Sequence, residues 1–179
     1  MRFQKLWMTL GALALVFVFA PASHAQLNSG AATVNLNAVL GETLTVSAGP
    51  GTVNFTLVPN GTANGSAPVS ITTAWALDVT RTDVNLYAYF SSTTALTDGT
   101  NNIPVANVTG SVNSAPAGAF TGATPFSGAS GMTVFTQALG VGTYNSSRND
   151  SIDLTIDTTG LSLPSSTYTG VLNIQAQAI

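Results

Sequence analysis

Apolar side chains recur at every second position along most of the chain. Val53, Phe55 and Leu57 alternate with Asn54 and Thr56. Val69, Ile71, Trp75, Leu77 and Val79 share one parity, while Ser70, Thr72, Asp78 and Thr80 share the other. Val84, Leu86, Ala88 and Phe90 alternate with Asn85, Tyr87 and Tyr89, and Ile152, Leu154 and Ile156 alternate with Asp153, Thr155 and Asp157. A period of two is the mark of a strand with one buried and one wetted face. The pattern predicts strands over approximately 32–40, 43–47, 52–58, 68–80, 84–91, 104–113, 132–138, 151–157 and 168–178. No window of ten residues beyond residue 25 follows a helical period. Clusters such as Gly49-Pro50-Gly51, Pro59-Asn60-Gly61, Asp98 to Asn102, Gly140 to Asn149 and Leu163 to Ser166 supply the backbone freedom of tight reversals. Many short strands without crossover helices specify an all-β fold, an antiparallel sandwich or barrel. No break in composition divides residues 26–179, which read as a single domain.

The first 25 residues differ. Arg2 and Lys5 precede an apolar run from Leu6 to Ala20, Pro21 ends it, and Ser23-His24-Ala25 supplies small residues at the −3 and −1 positions of a cleavage site. This order predicts a helical secretory signal peptide over 1–25, with Gln26 as the mature N-terminus. The run of about 15 apolar residues is shorter than the roughly 20 needed to span a bilayer. No membrane span is expected after cleavage, and the destination is the exterior, the cell surface or the periplasm.

Composition narrows the chemistry. Beyond residue 25 the chain has 25 Thr, 16 Ser and 14 Asn but no Cys, His or Lys. Its only cations there are Arg81 and Arg148, against seven acids, a net charge of −5. Disulfides, His or Cys metal sites, Schiff-base lysines, Lys–Asn crosslinks and Ser-His-Asp machinery are excluded. Two arginines cannot neutralise enough phosphates for a nucleic-acid face. A domain of this size buries roughly 68–70% of its unfolded surface, enough to fold without disulfides. The acids are poorly placed for catalysis. Asp153 and Asp157 share a strand face but lie about 13 Å apart at the rise of an extended chain. Asn149, Asp150 and Asp153 lack the spacing of a calcium loop. The chain reads as non-catalytic, without cofactor or metal.

Four features remain. Tyr87 and Tyr89, opposite in parity to Leu86 and Ala88, form either an outward aromatic ladder suited to sugars or a strand buried on both faces. Trp75 shares its parity with Ile71 and Leu77 and belongs to the core, with Phe55, Leu77 and Leu86 as expected neighbours. In the small-residue stretch 110–131, Phe120 and Phe126 stand alone, as pins of a surface loop or parts of a binding or assembly loop. Arg81 and Arg148 each sit two residues before an Asp, Asp83 and Asp150, which predicts either an Asp-containing turn shielded by its Arg at the start of a strand or the trace of an ancient repeat.

The C-terminal segment from Ser166 to Ile179 carries a Tyr168-Thr169-Gly170 turn into an alternating strand. Near the other end, Val34, Leu36, Ala38 and Leu40 alternate ahead of Gly41-Glu42-Thr43-Leu44-Thr45-Val46. These two ends, about 35 residues, resemble bacterial pilin-like sandwiches, including spore-coat-U-like and related chaperone–usher subunits. The resemblance implies an immunoglobulin-like antiparallel β-sandwich at the cell surface. In assembling members, one subunit donates its N-terminal strand to the next. Val34, Leu36, Ala38 and Leu40 would then be the strand donor, with self-association through strand addition and a chaperone, usher or surface partner. The expected function is a structural or adhesive extracellular protein, a pilus or fibre subunit. The alternative is a self-contained secreted domain binding glycans or a surface partner, with Tyr87 and Tyr89 on its binding surface.

Overall fold

A computed structural model describes residues 31–126 and 130–179; the expected signal peptide lies outside them. The chain divides into Met1–Ala38 and Val39–Ile179. Of the first unit, residues 31–38 are exposed and carry no strand.

The second unit is almost entirely antiparallel β-structure. One sheet contains β1 (Thr43–Gly49), β3 (Val69–Ala76), β11 (Asn145–Asp157), β7 (Val108–Val112) and β8 (Gly118–Ala119), hydrogen-bonded in that order, with β2 (Thr62–Asn64) also on β11. The other runs β12 (Asn173–Ala178), β4 (Asp83–Phe90), β10 (Ser130–Ala138) and β9 (Gly122–Ala123). A separate hairpin pairs β5 (Thr94–Thr97) with β6 (Asn102–Pro104), and Val105–Asn107 forms a 3-10 turn.

The two main sheets face one another across one core, a sandwich-like arrangement dictated by parity. Ile71, Trp75, Ile152, Leu154 and Ile156 from the first sheet meet Val84, Leu86, Ala88, Phe90 and Phe135 from the second. At about 25 cal/mol per Å² of apolar surface, burying each such large side chain contributes roughly 1.5–3 kcal/mol. Trp75 is buried as expected. Its indole stands 6.4 Å from the Phe135 ring and donates to the Thr143 carbonyl at 2.8 Å. Phe55, expected beside it, packs at the rim of a groove described below.

Two expected strands are absent from this ladder. Residues 52–58 keep their alternation, with Val53, Phe55 and Leu57 turned inward, but make only an isolated Phe55–Gly65 bridge. Residues 32–40 are exposed and unpaired, Leu36 at 93% and Leu40 at 83%. In both, alternation gives an extended chain an apolar side, but a strand also needs a neighbour for its backbone. Conversely, β11 begins at Asn145, six residues before the first expected position, because Asn145–Asn149 pairs with β3 despite its polarity.

Candidate functional site

The two lateral sides of the facing sheets differ. On one side the chain crosses from β8 to β9, and Phe120, 1% exposed, is driven into the core between them, its ring 5.1 Å from that of Phe90 in an edge-on contact. Gly110 makes room for it: a Cβ there would meet Met132 Sδ at 2.9 Å and Phe120 Cζ at 3.3 Å. On the other side no strand crosses among the described residues. β1 ends one sheet, β12 ends the other, and each is paired along one edge only.

Beyond the Ala48 end of β1 and the Ile174 end of β12, two strands that lie against each other, an apolar groove of about 940 Å³ opens between residues 50–59 and 161–172. Its floor is core surface, with Val69, Phe90, Val108, Leu154 and Ile156. One lip carries Val53, Phe55 and Leu57; the other carries Leu161, Leu163 and Leu172. Neither lip is a regular strand. The first is held by its end: the buried Thr158 hydroxyl accepts from the Gly61 amide at 3.1 Å and bonds the Val58 carbonyl, while Asn60 takes φ 51°. The second is held by Tyr168-Thr169-Gly170. Thr169 exchanges two backbone hydrogen bonds of 2.9 Å with Thr97, and the Tyr168 hydroxyl donates to the Pro164 carbonyl at 3.0 Å. The C-terminal motif thus fastens the groove's wall to the β5–β6 hairpin. Nearby, hydrogen bonds from the backbone and side chain of Asn101 lower the Asp98 carboxyl to about 2.

At the opposite end of β1 stands an ionic fork. Glu42 Oε1 accepts from the Asp78 amide at 2.9 Å and from Arg81 Nε at 3.1 Å; its Oε2 accepts from Arg81 Nη2 at 3.0 Å. The Arg81 hydrogen bond, with that of Asp78, lowers the Glu42 carboxyl to about 2. Arg81 was expected to shield Asp83; its partner is instead 39 positions earlier. The next residue, Thr82, donates its amide to the Ile179 carbonyl at 2.6 Å, so the fork and the end of the chain are tied to one turn.

Arg148 does meet Asp150, but within β11 rather than in a turn before a strand. Both share the inward parity of Ile152. Arg148 Nε donates to both Asp150 oxygens at 3.0 and 2.9 Å, its guanidinium lies 4.5 Å from the centre of the Phe135 ring, and Asn113 Nδ2 donates to Asp150 at 2.7 Å. Asp153 has the opposite parity and is exposed, so Asp150 and Asp153 do not converge.

Tyr87 and Tyr89 face outward from β4, yet they are already covered. Phe126 stacks on Tyr89 at 5.6 Å and meets Tyr87 edge-on at 5.9 Å, while the Tyr89 hydroxyl donates to Gln175 at 2.9 Å. Tyr89 is buried and Tyr87 half-buried. The two isolated phenylalanines of the 110–131 stretch are therefore pins on opposite faces of the same sheet, Phe120 inside and Phe126 outside. Val34, Leu36, Ala38 and Leu40 are all exposed. Among the described residues no group of acidic side chains is disposed to hold a metal ion, and no helix is long and apolar enough to cross a membrane. Comparison with protein-family models and with curated proteins finds no match for this chain.

Proposed function

We propose that the protein is a non-catalytic extracellular structural subunit of immunoglobulin-like sandwich type. It is exported by cleavage after Ala25 and assembled by addition of an extended strand to the groove between residues 50–59 and 161–172. The observation that carries this reading is the coincidence of two unmet needs in one chain. A groove floored by the core stands open between residues 50–59 and 161–172, neither of which is a regular strand. Val34, Leu36, Ala38 and Leu40 form an exposed alternating apolar series, Val34 at 80% exposure and Leu36 at 93%. An added strand gains main-chain hydrogen bonds along an edge while its alternate side chains fill the pockets beneath. Burying such side chains is worth roughly 1.5–3 kcal/mol each.

Lys, the residue most used to blunt an exposed edge, does not occur after residue 25. The glycan-binding alternative is weaker, because Phe126 occupies the tyrosine ladder that would have served it.

The test is assembly. Protein beginning at Gln26 forms linear, unbranched polymers by electron microscopy, and a synthetic peptide of residues 31–41 in excess shortens them by occupying the groove. Absence of peptide binding in calorimetry and by nuclear magnetic resonance shift mapping would overturn the reading. Intact mass of the exported protein checks the Gln26 terminus.

A further inference from the structure

The Phe120 crossover covers the part of its flank that borders β8 and β9, and a different device holds the rest. The ladder between β7 and β11 takes in Ile152–Ile156, and β9 reaches only Ser130 and Gly131 of β10. On this flank Met132–Ala138 of β10 and Asn145–Asp150 of β11 have no strand beside them among the described residues. Asn145, Ser146, Ser147 and Asn149 are exposed. A row of free backbone groups is a template for another chain. We propose that the Arg148–Asp150 pair is an edge guard: it keeps the Asn145–Asn149 edge from pairing with the same edge of a second copy. The guard lies away from the groove and stands or falls without it.

The backbone shows where the template begins. Asn113 donates its amide to the Ser151 carbonyl at 2.9 Å, and its Oδ1 accepts from the Ser151 amide at 2.9 Å. Ser151 therefore turns its backbone groups towards β7. Alternate residues of an antiparallel strand do the same, so Asn149, Ser147 and Asn145 turn theirs to the same, open side. β7 does not continue far enough to meet them. Asn113 and Ser114 take φ of 49° and 63°, and the Ala115 amide closes a turn on the Val112 carbonyl at 2.8 Å.

Behind this edge stands charge. Arg148 and Asp150 share the inward parity of Ile152, and the guanidinium, 4.5 Å from the centre of the Phe135 ring, bridges the edges of β11 and β10. Arg148 keeps part of its exposure, whereas the Asp150 side chain is almost fully buried. A strand laid along Asn145–Asn149 would set its inward side chains over the guanidinium and strip the water that still reaches it. Ions taken out of water are repaid only by well-placed partners, and a second copy brings another inward Arg148 and Asp150 instead. Inward-pointing charge and β-bulges both protect sheet edges. β10 carries the bulge, a register shift between Thr133 and Phe135. With no Lys after residue 25, the charge that defends β11 is turned inward rather than set on the rim.

A single label tests the guard. The chain has no Cys, so Ser147→Cys gives one attachment point, exposed at the middle of the edge. Two copies paired antiparallel about this position bring their labels together. Ser147 does not line the groove, so addition there does not pair them. Protein beginning at Gln26 and carrying pyrene at this position should show monomer emission alone. With Arg148→Met and Asp150→Leu added, the excimer-to-monomer ratio should rise at least about tenfold at the same concentration, because neither ion remains to be buried. Arg148→Met alone should stay at the native ratio, since an unpartnered Asp150 resists burial as strongly. Excimer emission from protein with both native charges overturns the guard. So does a double variant with native near-ultraviolet circular dichroism and no excimer, or an Arg148→Met variant that matches the double one. If Asp150→Leu prevents folding, Arg148→Met with Asp150→Asn, which keeps an acceptor for Asn113, is read by the same criteria.

Discussion

Gly170 lies so close to the backbone of Ala95 that a Cβ built on it would stand 1.9 Å from the Ala95 carbonyl oxygen. This contact gives the Tyr168-Thr169-Gly170 motif its physical meaning. Thr169 bonds the strand Thr94–Thr97 on both sides of its peptide unit, and the next residue must then have no side chain.

Substitution at this contact should be costly in proportion to the intrusion. Gly170→Ala is expected to lose about 1–3 kcal/mol or more, since overpacking against backbone cannot be relieved by a rotamer change. Gly140→Ala, where a Cβ meets nothing within 4 Å, should stay within about 0.5 kcal/mol. Urea melts of the two variants check the contrast. Equal midpoints would mean that the Ala95 contact yields without strain.

The indole of Trp75 is both a core body and a hydrogen-bond donor. Trp75→Ala should cost about 3–5 kcal/mol, combining lost apolar burial with a cavity beside Phe135. Trp75→Phe should recover most of this but leave the Thr143 carbonyl without its 2.8 Å donor. Fluorescence-monitored denaturation cannot follow variants lacking this Trp, so circular dichroism is the measurement to use.

Asp150 has a nearly fully buried side chain, while Arg148 retains about a third of its exposure. Removing the acid strips the guanidinium of its partner and leaves Asn113 without its acceptor. Asp150→Ala is therefore expected to cost about 2 kcal/mol, the upper part of the range for hydrogen bonds to charged groups. Arg148→Met should cost less than Arg148→Ala, because a long apolar stem still covers Phe135. Melts of the three variants give the order directly.

Acid should act through two carboxylates, the exposed Glu42 and the half-buried Asp98. Glu42 is lowered from 4.5 to about 2 by Arg81 and the Asp78 amide, and Asp98 from 3.8 to about 2 by Asn101. A depressed folded-state value means that their stabilisation is present above the unfolded values and is lost as pH falls towards 2. Stability should hold from neutrality to about pH 4.5 and decline below it. The double variant Glu42→Gln, Asp98→Asn should start lower and decline less over that interval. A parallel decline in both proteins would place the acid sensitivity elsewhere.

The parity of β3, β4 and the second half of β11 could be read directly from the chain because each has both a core face and a neighbour. The same reading overreached at 52–58, where Val53, Phe55 and Leu57 alternate to line a groove without a ladder. It fell short at Thr94–Thr97 and Asn102–Pro104, whose hairpin is too short and polar to show a period. Partners distant in sequence were beyond it. Arg81 has Asp83 two residues away but binds Glu42, because the turn after β3 brings the head of β1 beside it. Nor could alternation reveal the open groove. Which edges stay unpaired depends on the order of all the strands together.

The Phe120 crossover has a consequence for form. It stitches one flank of the molecule shut, and the strands bordering it, Gly118–Ala119 and Gly122–Ala123, are two residues each, too brief to template another chain. On the strand-addition reading proposed above, a subunit closed along this flank would take its guest on the other side alone, and its polymers would lengthen as threads rather than knit sideways into mats.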